Sequence, residues 1–248
     1  MTAVLTSPVP AVPVAPVAPV APADVAGLRA VARDAGVVAA VTLLHTGLGG
    51  AVLPAGPGGH VFVPTDVMRR CDAYGTPDGP RTWPRAGAGE RWLADVPLGP
   101  DTMIALHVPG AGPGAGPGSG PDGAGRTPDG WSLGLGWVRL GLADRFLARA
   151  AEHLRGRKVQ DTVTLNLPPV RVLLANAAAG IVEAHVLLTG RPDEADLRRV
   201  HRVLDEAGRV CLHLFGATGF LADGPGSEVR VAELLGDAYA PPSTVESP

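Results

Sequence analysis

The stretch DEADLRRVHRVLDEAGRVCLHLFGATGF, residues 193–220, decides the fold. Leu197, Val200, Leu204, Ala207, Val210, Cys211 and Leu214 recur at three- and four-residue intervals, which puts them on one face of an α-helix. Arg198, Arg199, Arg202, Asp205 and Glu206 fall on the face expected to meet water. The helix starts near Asp193 and stops at Gly216, because glycine accepts the backbone conformation that ends helices.

Reading outward from this helix gives three more. From about Pro169 to Leu188 an apolar stripe of Val170, Leu173, Leu174, Ala177, Ala178 and Ile181 follows a proline placed where no donor is needed. After Gly130, Trp137, Leu140, Phe146, Leu147, Ala150 and Leu154 fall mostly at helical spacing. A short fourth helix, Glu228 to Leu235, follows the turn Ala222-Asp223-Gly224-Pro225-Gly226. Four amphipathic helices with short connections pack as a bundle, so the chain is mainly α, with the bundle spanning 131–240 and a tail at 241–248.

Upstream the composition changes twice. Residues 109–130 are dominated by Gly and Pro and carry almost nothing that could enter a core, so they form a linker. Residues 23–108 make a reduced, β-rich middle region. Within it Asp24 to Gly36 has helical spacing, and Val52-Leu53, His60 to Val63, Arg91 to Leu93 and Met103 to Leu106 are candidate strands bounded by turn residues. Residues 1–22 repeat Pro, Val and Ala; with φ fixed at every proline they are expected to be a disordered leader and neither a signal peptide nor an anchor.

Several function classes drop away. A formal net charge of -3 with dispersed basic residues gives no footprint for nucleic acid. No uninterrupted apolar stretch reaches the ~18 residues of a spanning helix, so no membrane role is expected. Cys71 and Cys211, far apart and without a zinc-type spacing, suggest neither disulfide nor metal and fit a reducing cytoplasm. His201 and Asp205 share a helical face at i, i+4, but among Arg198, Arg199 and Arg202 they read as charged surface and not as metal ligands.

The segment from about Trp131 to Tyr239 resembles the C-terminal helical domain of the acyl-CoA dehydrogenases. Arg157-Lys158 stands where that family has a basic pair, Leu174-Ala175 matches the family's Leu-Ala on the next helix, and Leu214 to Phe220 resembles its Phe-Gly-Gly-x-Gly-Phe/Tyr turn. The resemblance implies FAD as cofactor, held by Arg157 at the pyrophosphate, by the close-approach glycines Gly216 and Gly219, and by His213 where the family often has a glutamine. It also implies a homo-oligomer or a full-length acyl-CoA dehydrogenase relative as partner, and an acyl-CoA or acyl-carrier thioester as substrate.

The chain departs from the family at its working positions, as a truncated, divergent member would. The family's Phe-Gly is Gln160-Asp161, and a flavin-binding glutamine is Pro168. α,β-Dehydrogenation needs a carboxylate to take the α-proton while hydride goes to the flavin. The two seats the family uses for that base are Ala240, after Tyr239, and Val138, before Arg139. Asp237 is the nearby carboxylate that could substitute. Two functions are therefore expected: a flavin-dependent CH-CH oxidoreductase subunit that is impaired or depends on a partner, or a non-catalytic scaffold or regulatory subunit packed on a full-length relative.

Overall fold

The computed structural model describes residues 22–76, 80–82, 89–112, 130–221 and 224–241. The leader and most of the linker and tail lie outside them.

The four bundle helices are α4 (Gly130–Arg155), α5 (Pro168–Thr189), α6 (Glu194–Phe215) and α7 (Pro225–Tyr239). Pro168 occupies the first turn of α5, where its missing N–H costs nothing, and Gly190 caps the other end. Asp193 and Asp196 form a reciprocal capping box on α6: the Asp196 N–H donates to the Asp193 carboxylate at 2.8 Å and the Asp193 N–H to Asp196 at 3.2 Å. Gly216, at φ 60°, closes the helix by donating its N–H to His213. The fourth helix is longer at both ends than the Glu228 to Leu235 expectation, because Pro225 starts it and buried Tyr239 holds its last turn.

The middle region is β-rich only from Val52 onward. Before it lie two helices, α1 (Pro22–Ala35) and α2 (Val37–Gly47), separated by Gly36 at φ 88°. The second was not anticipated from the frequency of glycine and proline that follows it. Its register comes from tertiary burial of Val37, Ala40, Val41 and Leu44 against the bundle. Both helices pack on α4, so α4 is enclosed nearly all round from Gly134 to Ala143. At Gly141 the approach is extreme, since a β-carbon there would lie 2.3 Å from the Arg29 carbonyl oxygen on α1.

All four candidate strand segments are strands. β1 (Val52–Leu53) pairs parallel with β3 (Ala73–Tyr74), which takes β4 (Arg81–Thr82) on its other side. β2 (His60–Pro64), β5 (Arg91–Leu98) and β6 (Asp101–His107) form an antiparallel sheet in the order β2-β6-β5, and α3 (Thr65–Arg70) follows β2 directly. A small hairpin of β7 (Lys158–Val159) and β8 (Thr162–Val163) joins α4 to α5. One hydrophobic core runs through helices and sheets together, from Leu28 and Val41 through Val61 and Leu106 to Leu135, Leu197 and Leu235.

Candidate functional site

The residues implied in flavin binding gather at one end of the bundle. α4 ends at Arg155, and Gly156 with Arg157 turns the chain into the β7–β8 hairpin. The exposed Arg157 side chain extends back over the end of α6: its Nη1 lies 3.4 Å from His153 Nε2 and 3.9 Å from the place a β-carbon on Gly216 would occupy. The His153 ring packs on Phe215 with centroids 5.7 Å apart. His213 is exposed on the same last turn of α6. Gly219 has a different job. It is buried, a β-carbon on it would come within 2.8 Å of Leu212, and its carbonyl oxygen stands 2.0 Å from where a β-carbon on Gly226 would be. That close packing seats the start of α7 on the turn after α6, which is reason enough for both glycines.

Among the described residues, this constellation supplies few of the donors a flavin site would need. Arg157 and Gly216 provide a cation beside an accessible backbone, but Pro168 offers no donor and Asp161 exposes a carboxylate at the tip of the neighbouring hairpin. Gly219 is consumed by packing. Two cavities lie elsewhere. One, of about 310 Å³, is an open, polar-rimmed hollow between α2, α3 and the β5–β6 turn, with Thr42, Asp66, Arg69 and Asp101 on its walls. The other, of about 10 Å³, has room for one water among Arg139, Asp205 and Glu233.

Neither of the two positions at which the resemblance would place a catalytic base, Val138 and Ala240, carries a proton acceptor. Val138 is fully buried in α4. Ala240 caps α7, its N–H donating to the Gly236 carbonyl at 2.7 Å. Asp237 is exposed on α7. The tyrosine before the empty seat is a strut. Tyr239 is buried, with Trp131 edge-on at 5.4 Å, and its hydroxyl accepts the Phe62 N–H at 2.9 Å while lying 3.3 Å from the carbonyl oxygens of Phe62 and Pro54. β2 is an edge strand, and Tyr239 satisfies the outward backbone groups of Phe62 that β6 cannot reach. Burial pushes the Tyr239 hydroxyl well above the ordinary phenol range.

The largest departure from the sequence reading is next to the other seat. Arg139, 2% exposed, donates to His201 Nδ1 at 2.5 Å and forms an ion pair with Asp205. His201 is thus a buried residue and Asp205 a half-buried one, not members of a solvated face. They point at α4 because an arginine in the apolar run Trp137 to Leu142 needs partners where water is excluded. Glu233 and Asp237 add negative charge that favours the guanidinium. Burial and the adjacent cation hold His201 well below the ordinary imidazole range, so it serves as a neutral acceptor, while burial raises Asp205 against the pull of Arg139. Gly236 makes room for the guanidinium: a β-carbon there would fall 2.5 Å from Arg139 Nη1. The signal was present in the sequence as a lone Arg inside an apolar run.

A cysteine and a histidine that spacing did not connect also meet. Cys71 Sγ is 3.4 Å from His45 Nε2, but the thiol donates to the Val67 carbonyl at 3.2 Å and the imidazole is 3.0 Å from the Val52 oxygen. Burial pushes Cys71 up to about 11 and lowers His45. A protonated thiol beside a neutral ring is a core contact and not a nucleophile.

Two solved structures share this architecture. A variant of the Tcur3481-Tcur3483 steroid ACAD, an acyl-CoA dehydrogenase, aligns over 86% of this chain and 69% of its own, with a TM-score of 0.50 and 17% identity. The chain has the acyl-CoA dehydrogenase fold. The ChsE4-ChsE5 complex from Mycobacterium tuberculosis aligns over 86% of this chain and 75% of its own, with a TM-score of 0.54 and 18% identity. No protein-family model matches the sequence, and no curated protein matches it. The acyl-CoA dehydrogenase fold extends here beyond the bundle that suggested it, into the sheets and the first two helices.

Proposed function

We propose that this chain is a subunit of an acyl-CoA dehydrogenase-type assembly that contributes structure to a partner and does not itself perform dehydrogenation. The observation that carries the proposal is the state of the two base seats. Val138 and Ala240 cannot accept a proton, and their neighbours Arg139 and Tyr239 are committed to holding the fold. Removal of an α-proton by a positioned base is worth ~10²–10⁴-fold, which an exposed aspartate one turn away does not replace. The partner is a full-length relative with a complete catalytic set. Both similar structures carry the names of two chains, which supports a partnership of this kind.

A second reading is favoured by one specific feature, the placement of Arg157 over Gly216. A cation beside glycine backbone at a bundle end suits a pyrophosphate held between two chains. In this reading the chain completes a flavin site in trans, and the partner supplies the base and the remaining donors. The visible absorption spectrum of the purified chain, alone and then with its co-purified partner, separates the two. The first reading expects no flavin bands from the chain alone and none lost from the complex on Arg157→Ala. The second expects flavin in the complex that Arg157→Ala releases. Flavin bands from the isolated chain would contradict both.

A further inference from the structure

Two histidines meet at one end of the β2-β6-β5 sheet. His60 stands directly opposite His107 in the antiparallel register of β2 and β6, so the two side chains lie on one face. The ladder fixes how close they come. The Val108 N–H donates to the Gly59 carbonyl at 2.9 Å, and the backbone groups of Phe62 turn away from β6 toward Tyr239. Hydrogen-bonded and non-hydrogen-bonded pairs alternate along such a ladder, which makes His60 and His107 a non-hydrogen-bonded pair, the kind whose side chains are closer. Their ring centroids are 5.3 Å apart at an interplanar angle of 60°. His60 is exposed and His107 half-buried. Among the described residues neither ring makes a side-chain hydrogen bond or an ion pair. Gly58 leaves the His60 ring uncovered, since a β-carbon there would fall 2.9 Å from Nδ1, and a β-carbon on Gly59 would stand 3.6 Å from His107 Nε2.

We propose that His60 and His107 form a two-histidine site for a divalent transition-metal ion, with water in the remaining coordination positions. Imidazole nitrogens bind zinc-type ions at ~2.0–2.1 Å, which puts each ring centroid about 3.2 Å from the ion. Two such rings at a tetrahedral angle have centroids ~5.2 Å apart. The observed 5.3 Å therefore lets both rings reach one ion by side-chain rotation, without moving a strand. Neutral imidazole selects nickel, copper and zinc over magnesium or calcium, which take oxygen ligands. No group of three or more His, Cys, Asp or Glu side chains that could hold a metal stands together among the described residues. The ion is thus held by two protein ligands and exchanges with solution, unlike the ion of a closed four-ligand site. Arg91, opposite His107 on β5, is an exposed cation on the same face, which weakens the site without blocking it because its long side chain reaches into water. An ion on both rings clamps β2 to β6 at the end of the sheet. This goes beyond the proposed function and does not rest on it.

Titration calorimetry of the full chain with Ni²⁺ and Cu²⁺, and NMR of the histidine ring protons with Zn²⁺, test the proposal. The expected result is a single site that takes Cu²⁺ more tightly than Ni²⁺, with the ring signals of His60 and His107 shifting together. His60→Ala, at an exposed position, and His107→Ala should each weaken binding by roughly 100-fold, because a second ligand on the same fold acts at high effective concentration. His185→Gln, on α5, should change nothing. Arg91→Ala should tighten binding at low salt, where an exposed cation is least screened, and would add support. Should His107→Ala not fold, the ring signals of the parent chain decide. A parent chain that binds none of these ions overturns the proposal, as do shifts confined to other histidines or binding indifferent to His60→Ala.

Discussion

The guanidinium of Arg139 on α4 is enclosed between α6 and α7, where it pairs with Asp205 and donates to the imidazole of His201. This ion pair joins α4 to α6, at the residue next to Val138. Removing one partner leaves a charge buried without compensation, so Arg139→Ala should destabilise the chain by ~3–5 kcal/mol in urea unfolding. Arg139→Met combined with Asp205→Leu should recover much of that loss. Equal destabilisation by the single and the double variant would show that the pair is not coupled.

The acid side of the stability profile should carry the signature of the two buried histidines. His201 beside Arg139 and His45 near Arg70 are both held below the ordinary imidazole value. Their unfolded forms therefore bind protons first. Stability from them is fully present above pH ~6.5 and is lost as pH falls through that value, with a slope of up to about 1.4 kcal/mol per pH unit for each group. Asp205, raised by burial, acts in the opposite sense between its folded value and the ordinary carboxylate range. Urea midpoints at pH 7.5, 6.5 and 5.5 should fall, and His201→Gln should flatten the fall. A midpoint that rises toward pH 5.5 would contradict the assignment of neutral buried rings.

Tyr239→Phe removes one oxygen and leaves the Phe62 N–H at the edge of β2 without an acceptor. A buried donor left unpaired costs ~1–3 kcal/mol, and the loss should appear locally. Hydrogen exchange at Phe62 should speed up well beyond exchange at α5, whose hydrogen bonds are untouched. Uniform acceleration across the chain would mean that the strut acts only through global stability.

Gly141→Ala tests the closeness of α1 to α4. With the added β-carbon 2.3 Å from the Arg29 carbonyl oxygen and 2.7 Å from the Ala32 β-carbon, the helices must separate. Overpacking of this kind costs ~1–3 kcal/mol, and the gain in helix propensity of up to ~1 kcal/mol does not cover it. A more stable Gly141→Ala variant would show that α1 is not docked there.

The parts of this fold that were legible in the sequence are those held by local rules. Asp193 and Gly216 mark the ends of α6, Pro169 marks the start of α5 to within a residue and Gly190 its end, and the strand segments stand out between turn residues. α2 was not legible, because its helix rests on burial against α4 more than on any capping residue. The faces of α6 were only half legible. Periodicity separates apolar from polar positions, but it cannot tell a polar residue facing water from one facing a buried arginine on another helix, and His201 and Asp205 are of the second kind. At the candidate site, the interest in Arg157, Gly216 and Gly219 followed from the family pattern. The use of Gly219 for packing on Gly226 did not, since a glycine reads the same in sequence whether its missing side chain makes room for a ligand or for a neighbouring helix.

The central claim, a retained acyl-CoA dehydrogenase fold without the family's base, is tested most directly by single-turnover dehydrogenation of acyl-CoA thioesters by the isolated chain with added FAD and an electron acceptor. The account predicts no α,β-unsaturated product from the parent chain above the FAD-only control. Product formation by the parent chain, abolished by Asp237→Asn, would contradict the account and make Asp237 the base.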